Sequence, residues 1–251
     1  MGNIIVQEKL RGYAGRLLDS LGLTQDGNEV AHRMGRYGEG IVEPLFNKNQ
    51  ACAGEGSFFV NCSPTVGTGV KLQGDTTTAF VATTPSILIV NQNAAGGKSI
   101  YLDYVRLLMT AAGAGLATLN CNILVDTVSR YSTGGTDVSA NSKNTNAGSS
   151  IASGAKIYYG ATALAATASR QVGRAVLRGA IPVVNDQYVL NFGNGGGTNA
   201  GVTDGTTTVM QKEFNFAPIV LAPGTSCLIH LWAASMSTSP SCEYEIGYIE
   251  R

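Results

Sequence analysis

Hydrophobic and polar positions change rhythm near residue 57. Ahead of it, Leu10, Tyr13, Leu17, Leu18 and Leu21 recur at helical spacing, with Arg11, Arg16 and Asp19 largely off that stripe. This pattern predicts an amphipathic helix over residues 4–21, stopped at Gly22. A second short helix holding Val30, Ala31 and Met34 is expected after a cap at residues 24–26. Such a helix is marginal alone in water, and Gly12 and Gly15 weaken it further. The stripe therefore needs a surface: the chain's own body, a neighbouring copy or another protein.

From Ser57 onward the period is two. Strands are expected at residues 57–61, 79–82, 87–90, 156–159, 174–177, 188–192, 208–210, 218–221, 227–232 and 244–249. In the stretch 98–130, alternating arms flank Ala111-Ala112-Gly113-Ala114-Gly115, which predicts a central antiparallel hairpin. Its first arm reads as covered on both faces, and its second as apolar on one face only. Long polar loops are expected at about 129–153 and 193–204. The first is expected to be functional, mobile or ordered only against a symmetry mate. The fold class is all-β: an antiparallel β-sandwich or jelly roll over residues 51–251. An N-terminal arm with one or two short helices, residues 1–50, precedes it.

Charge sharpens this division. The chain has 17 Lys and Arg against 17 Asp and Glu, and 12 of these 34 charges fall in residues 1–50. The body is thus far below the roughly 25% charged residues of an ordinary domain. Surfaces poor in Lys and Glu are what interface cores favour, so much of the body is expected to be covered by copies of itself or by partners. Zero net charge and the absence of any Lys/Arg run argue against direct nucleic-acid binding. Neither a membrane-spanning run nor a signal peptide is read from the pattern. Cys52, Cys62, Cys121, Cys227 and Cys242 show no metal-binding spacing, and free thiols in a reducing compartment are expected, with a Cys52–Cys62 pair left open.

Candidate chemistry changes little. His230 lies between Ile229 and Leu231 and is expected to be buried; His32 is expected on a solvated helix face. Ala95-Gly96-Gly97-Lys98-Ser99 ends like a phosphate loop but leads into a strand, where that motif requires a helix. Glu243 and Glu245 share a strand face, with Glu250 beyond. They are the one candidate carboxylate pair for glycoside chemistry and otherwise read as a charged edge strand. Tyr101, Tyr104, Tyr158, Tyr159 and Trp232 could stack on a sugar if the fold gathers them, although core or interface packing is the expectation. No catalytic residue, cofactor or metal is expected.

Val6-Gln7-Glu8-Lys9-Leu10, Lys143-Asn144-Thr145-Asn146, Arg174-Ala175-Val176-Leu177-Arg178, residues 217–232 and Glu243-Tyr244-Glu245-Ile246-Gly247-Tyr248-Ile249-Glu250-Arg251 carry a likeness spread along most of the chain. In style rather than in one diagnostic motif, the sequence resembles small structural proteins of tailed bacteriophage virions, especially those of marine and environmental phages. The resemblance implies a β-sandwich body, homo-oligomeric assembly (commonly a trimer) and attachment to a capsid or tail by an extension. The expected function is a non-enzymatic capsid decoration or cement protein. It would be assembled in the host bacterial cytoplasm and bind the major capsid protein, or another virion protein, through Leu10, Tyr13, Leu17, Leu18 and Leu21. The alternatives are a tail fibre, spike or collar component binding a host receptor or glycan, a principal shell protein, and an enzyme acting on carbohydrate.

Overall fold

The computed structural model describes residues 48–67, 69–71, 80–115, 118–165, 169–193, 209–233 and 237–251. Residues 1–47 of the expected arm, with its docking stripe, and all but the first residue of the 193–204 loop lie outside the described residues. Lys48–Arg251 makes one compact unit. It begins with the short helix α1 (Lys48–Gly54) and continues as β1 (Phe58–Cys62), β2 (Val70–Lys71), β3 (Ile87–Asn91), β4 (Ile100–Ala111) and β5 (Leu119–Asp126). Next come β6 (Tyr131–Thr133), β7 (Thr136–Asp137), β8 (Ser142–Asn144), β9 (Ala155–Tyr159), β10 (Thr162–Ala163), β11 (Arg170–Arg178) and β12 (Gln187–Phe192). The last are β13 (Gln211–Phe216), β14 (Val220–Leu221), β15 (Ser226–Trp232) and β16 (Ser241–Glu250).

The regular structure of the described residues is almost wholly β, apart from α1 and a 3-10 turn, as the period-two pattern after residue 57 predicts. An eight-stranded sheet runs β13-β12-β4-β16-β1-β8, with β14 beside β4 and β2 beside β16. A six-stranded sheet runs β11-β5-β15-β3-β9-β7, and β6 and β10 form a small ribbon. All pairings are antiparallel except β12 with β13. Inward side chains of both large sheets merge into one core. Phe59, Val105, Leu107, Tyr188, Ile246 and Tyr248 come from the first, and Ile87, Ile89, Ile123, Ile157, Cys227 and Ile229 from the second. Each such large apolar side chain contributes roughly 1.5–3 kcal/mol by leaving water. Outside the six-stranded sheet a second apolar layer forms, where Leu88, Val90, Leu124 and Leu228 meet Tyr158, Ala161, Ala163, Phe80 and Tyr131.

Several expectations need correction. The stretch 98–130 is not a hairpin, because β4 pairs with β12, β14 and β16 while β5 pairs with β11 and β15. Alternation identifies a strand but not its partner, and the link between these two crosses from one sheet to the other. Gly113 makes that corner: its φ is 71°, and a Cβ would stand 2.7 Å from the Pro240 backbone nitrogen. The two arms also exchange the expected exposure. β4 is buried on one face and largely open on the other, whereas almost every residue of β5 is buried. Asn120, Asn122 and Asp126 lie on the face read as wet or turned to a neighbour, and they are buried within the chain itself.

Residues 129–153 carry β6, β7, a 3-10 turn at Ser139–Asn141, and β8, each of these strands pairing with another strand of the chain. Side-chain amides fasten the segment. Asn144 Nδ2 donates to Gly56 O at 2.7 Å, and Asn61 Nδ2 donates to Val138 O at 2.8 Å. The strand expected at residues 79–82 is absent from Phe80 onward, and Phe80 packs as a cover on β15. The strand expected at 208–210 falls later, at β13.

Candidate functional site

The candidate carboxylates lie on β16, which sits between β4 and β1 in the middle of its sheet and is therefore not the edge strand expected. Antiparallel register sets Glu243 opposite Leu108 and Glu245 opposite Arg106 on the outer face. Both glutamates border a depression of about 240 Å³, together with Cys62, Ser63, Arg106 and Gln187. Ligand sites more often span roughly 300–1,000 Å³. The clip that closes one end is local: Ser63 N donates to Tyr244 O at 3.0 Å, and Tyr244 N donates to Ser63 Oγ at 2.9 Å.

Glu245 accepts from Tyr104 Oη at 2.5 Å and forms a 3.5 Å pair with Arg106 Nη1. Tyr104 reaches across because Gly247 lies beneath it; a Cβ at that position would overlap the ring. Glu243 accepts from the Gly67 backbone N–H. Burial, then the Glu245 hydrogen bond and charge, push the Tyr104 phenol up. Burial and then the Glu245 charge push the Cys62 thiol up as well. A phenol and a thiol held protonated are poor bases or nucleophiles at neutral pH. In this cluster the carboxylates act as acceptors that hold neighbouring side chains across strands.

Glu250 is placed differently. It is buried and accepts from Ser153 Oγ at 2.5 Å, Gly154 N at 3.1 Å and Ala155 N at 3.3 Å. Ser153 Oγ also meets Tyr248 Oη at 2.7 Å. Glu250 thereby pins the end of the 129–153 segment onto β16.

Two further charge clusters escaped the sequence reading. Asp186 Oδ2 accepts from Arg178 Nη1 at 2.6 Å, Val183 N at 2.8 Å and Tyr188 Oη at 2.9 Å, while its Oδ1 accepts from Met210 N at 2.8 Å. Arg130 Nη1 pairs with Asp126 at 2.9 Å, and its Nε donates to Leu164 O at 2.7 Å. Both ion pairs are almost wholly buried. The available signal was the scarcity of charge itself: in so uncharged a body, the Asp–Arg spacings 126/130 and 178/186 stand out.

His230 is buried as expected, with Nε2 3.3 Å from Ala82 O and the Phe80 ring edge-on at 4.9 Å. Burial, helped by the nearby Arg130 charge, lowers its pKa to about 4. The aromatic residues considered for sugar stacking are scattered. Tyr104 lies outside the first sheet; Tyr159 belongs to the core, and Tyr158 faces the opposite way, stacked on Tyr131 at 4.1 Å. The five cysteines are free thiols, Cys62 exposed and the others buried. Burial pushes Cys227 up to about 12.

Leu10, Tyr13, Leu17, Leu18 and Leu21 lie outside the described residues. Among the described residues, no group of three or more His, Cys, Asp or Glu is placed to hold a metal ion, and no helix is long and apolar enough to cross a membrane. Compared with known protein families, curated proteins and solved structures, the chain matches none.

Proposed function

We propose that the protein is a non-enzymatic structural component of a phage virion, with a jelly-roll body that decorates or cements the capsid through its N-terminal arm. The observation that carries this reading is the strand order. Take β1, β3, β4, β5, β11, β12, β15 and β16 as the principal strands. The first then neighbours the eighth, the eighth the third, and the third the sixth in one sheet; the other runs second, seventh, fourth, fifth. This order supports a jelly-roll reading, and jelly rolls build viral shells as well as lectins and cupins. Because a fold does not fix a function, the choice among these rests on further features. Apolar side chains fill the space between the sheets, and the glutamates on β16 are engaged as acceptors. The charge-thin body suits burial against neighbours.

The fibre, spike or collar alternative draws on adaptable loops at 129–153 and 193–204, the second of which is described only at residue 193. The hydrogen bonds that fasten the 129–153 segment to the body give that alternative less support. The test uses the full chain with Leu10, Leu17 and Leu21 replaced by serine, co-sedimented with purified capsid shells. The expected result is a large loss of occupancy with an unchanged melting temperature of the body; undiminished occupancy overturns the arm's docking role. Native mass gives the oligomer number, and the copy number per particle separates a head component from a tail component.

A further inference from the structure

Two surfaces of the body carry opposite local charge, although the whole chain has a net charge of zero. The first lies on the turn between β1 and β2. There Val66 is 94% exposed, more than any other large apolar side chain among the described residues. The turn is held in place: Tyr244 N donates to Ser63 Oγ, and the Gly67 N–H donates to Glu243. Val66 and Glu243 therefore border the same depression, with Glu245 and Arg106 beside them. Glu243 forms no ion pair among the described residues, and two carboxylates against one guanidinium leave this corner negative. An apolar side chain so fully in water is stabilised by moving onto another apolar surface.

The second surface is an open groove of about 220 Å³ between β11 and β13, lined by Arg174, Val176, Lys212, Phe214 and Phe216 among others. Gly173 lets the two strands approach, because a Cβ at that position would stand 2.6 Å from Phe216 Cδ1. Val176 is 46% exposed, and Lys212 Nζ sits 5.0 Å over the Phe214 ring. Neither Arg174 nor Lys212 forms an ion pair among the described residues, so the groove joins an apolar lining to an excess of positive charge.

We propose that one copy of this chain docks its Val66–Glu243 corner into the Arg174–Lys212 groove of a second copy. Val66 meets Val176 and Phe216, and Glu243 meets the two cations. Charge complementarity selects the occupant: the groove has no acid paired to it, the corner has an unpaired carboxylate, and every copy brings both. Because the two surfaces differ, the contact is heterologous. It repeats from copy to copy, closing into a ring or running on as a filament according to the rotation at each step. Charges at such a contact govern selectivity and the speed of docking more than affinity, which leaves Val66 as the anchor. Neither surface involves residues 1–47, so the contact stands or falls separately from the arm's docking on capsid shells.

The test is complementation by charge exchange in the full-length protein, read by sedimentation velocity at low salt. Wild type is expected to sediment as an assembly larger than a monomer, and to weaken as salt is raised. Arg174→Glu with Lys212→Glu reverses the groove, and Glu243→Lys reverses the corner. Each variant should self-associate at least about tenfold more weakly, with an unchanged melting temperature. Mixed in equal amounts, the two variants present a negative groove to a positive corner, and a positive groove to a negative corner, so they should associate again. If either charge variant fails to fold, Val66→Ser makes the decision through the anchor, with an expected weakening of about tenfold. A wild-type protein that stays monomeric, an assembly indifferent to these substitutions, or a mixture of folded variants that does not associate overturns the proposal.

Discussion

The outer face of the eight-stranded sheet holds Arg106, Glu243 and Glu245 partly open to water, while that of the six-stranded sheet holds Asn120, Asn122, Asp126 and His230 out of it. Neither outcome follows from the sequence pattern, in which the first arm of the 98–130 stretch reads as covered on both faces and its second as apolar on one. What separates the two faces is a cover built from elsewhere in the chain: Phe80, Tyr131, Ala161, Ala163 and the Arg130 side chain. The same residue types thus do different work. On the open face they form a cross-strand cluster whose loss costs little. Under the cover they are committed to partners, and removing one strands another.

The comparison breaks most readily at Arg130. Arg130→Met leaves Asp126 buried without its partner and should cost about 3–5 kcal/mol by denaturant unfolding. Asp126→Leu combined with Arg130→Met should recover much of that loss. A cost under about 1 kcal/mol for the single variant would mean that water reaches the pair after all.

The next effect is pH-dependent. The folded pKa of His230, about 4, lies below the unfolded value of roughly 6.5. The unfolded chain therefore binds more protons between the two, and stability falls as the pH drops through that window. The full difference is about 3 kcal/mol. His230→Phe should flatten the stability profile between pH 6.5 and 4 relative to wild type; an unchanged slope would locate the acid sensitivity elsewhere.

On the open face the expected effects are small. Arg106→Gln removes a half-exposed pair with Glu245 and should change stability by about 0.2–1 kcal/mol, less at high salt. Smaller still, Glu245→Gln should leave folding intact and speed alkylation of Cys62 at mildly alkaline pH. One charge that holds the thiol protonated would then be gone. A slower or unchanged rate would show that burial alone sets that thiol.

Strands with apolar alternation were legible in the sequence: residues 57–61, 87–90, 188–192, 227–232 and 244–249 all fall on or within a residue of a strand. Partners were not legible, since β4 and β5 alternate equally well in a hairpin or in separate sheets. β13 was placed too early, at 208–210, because Gln211, Lys212 and Glu213 open it without an apolar residue. The small strands in 129–153 were missed because β6, β7 and β8 are short and mostly open to water, fixed by asparagine amides and main-chain bonds rather than by burial. Of the candidate site, the shared face of Glu243 and Glu245 followed from their spacing. The Tyr104 and Arg106 partners on β4 depend on long-range register that no local pattern encodes.

The position of the last two strands has a consequence for how the chain is made. β15 lies between β5 and β3, and β16 between β4 and β1, so each sheet receives a middle strand only after its other strands have been made. Roughly 180 residues separate Cys62 from Ser241, and a ribosome takes about 10–40 s to add them. Throughout that interval Phe59, joined by Val105 and Leu107 once they are made, has no finished layer to close over it. The nascent chain is therefore exposed to misassociation until its closing strands emerge, and a holding chaperone should raise its yield more than any stabilising change on the open face.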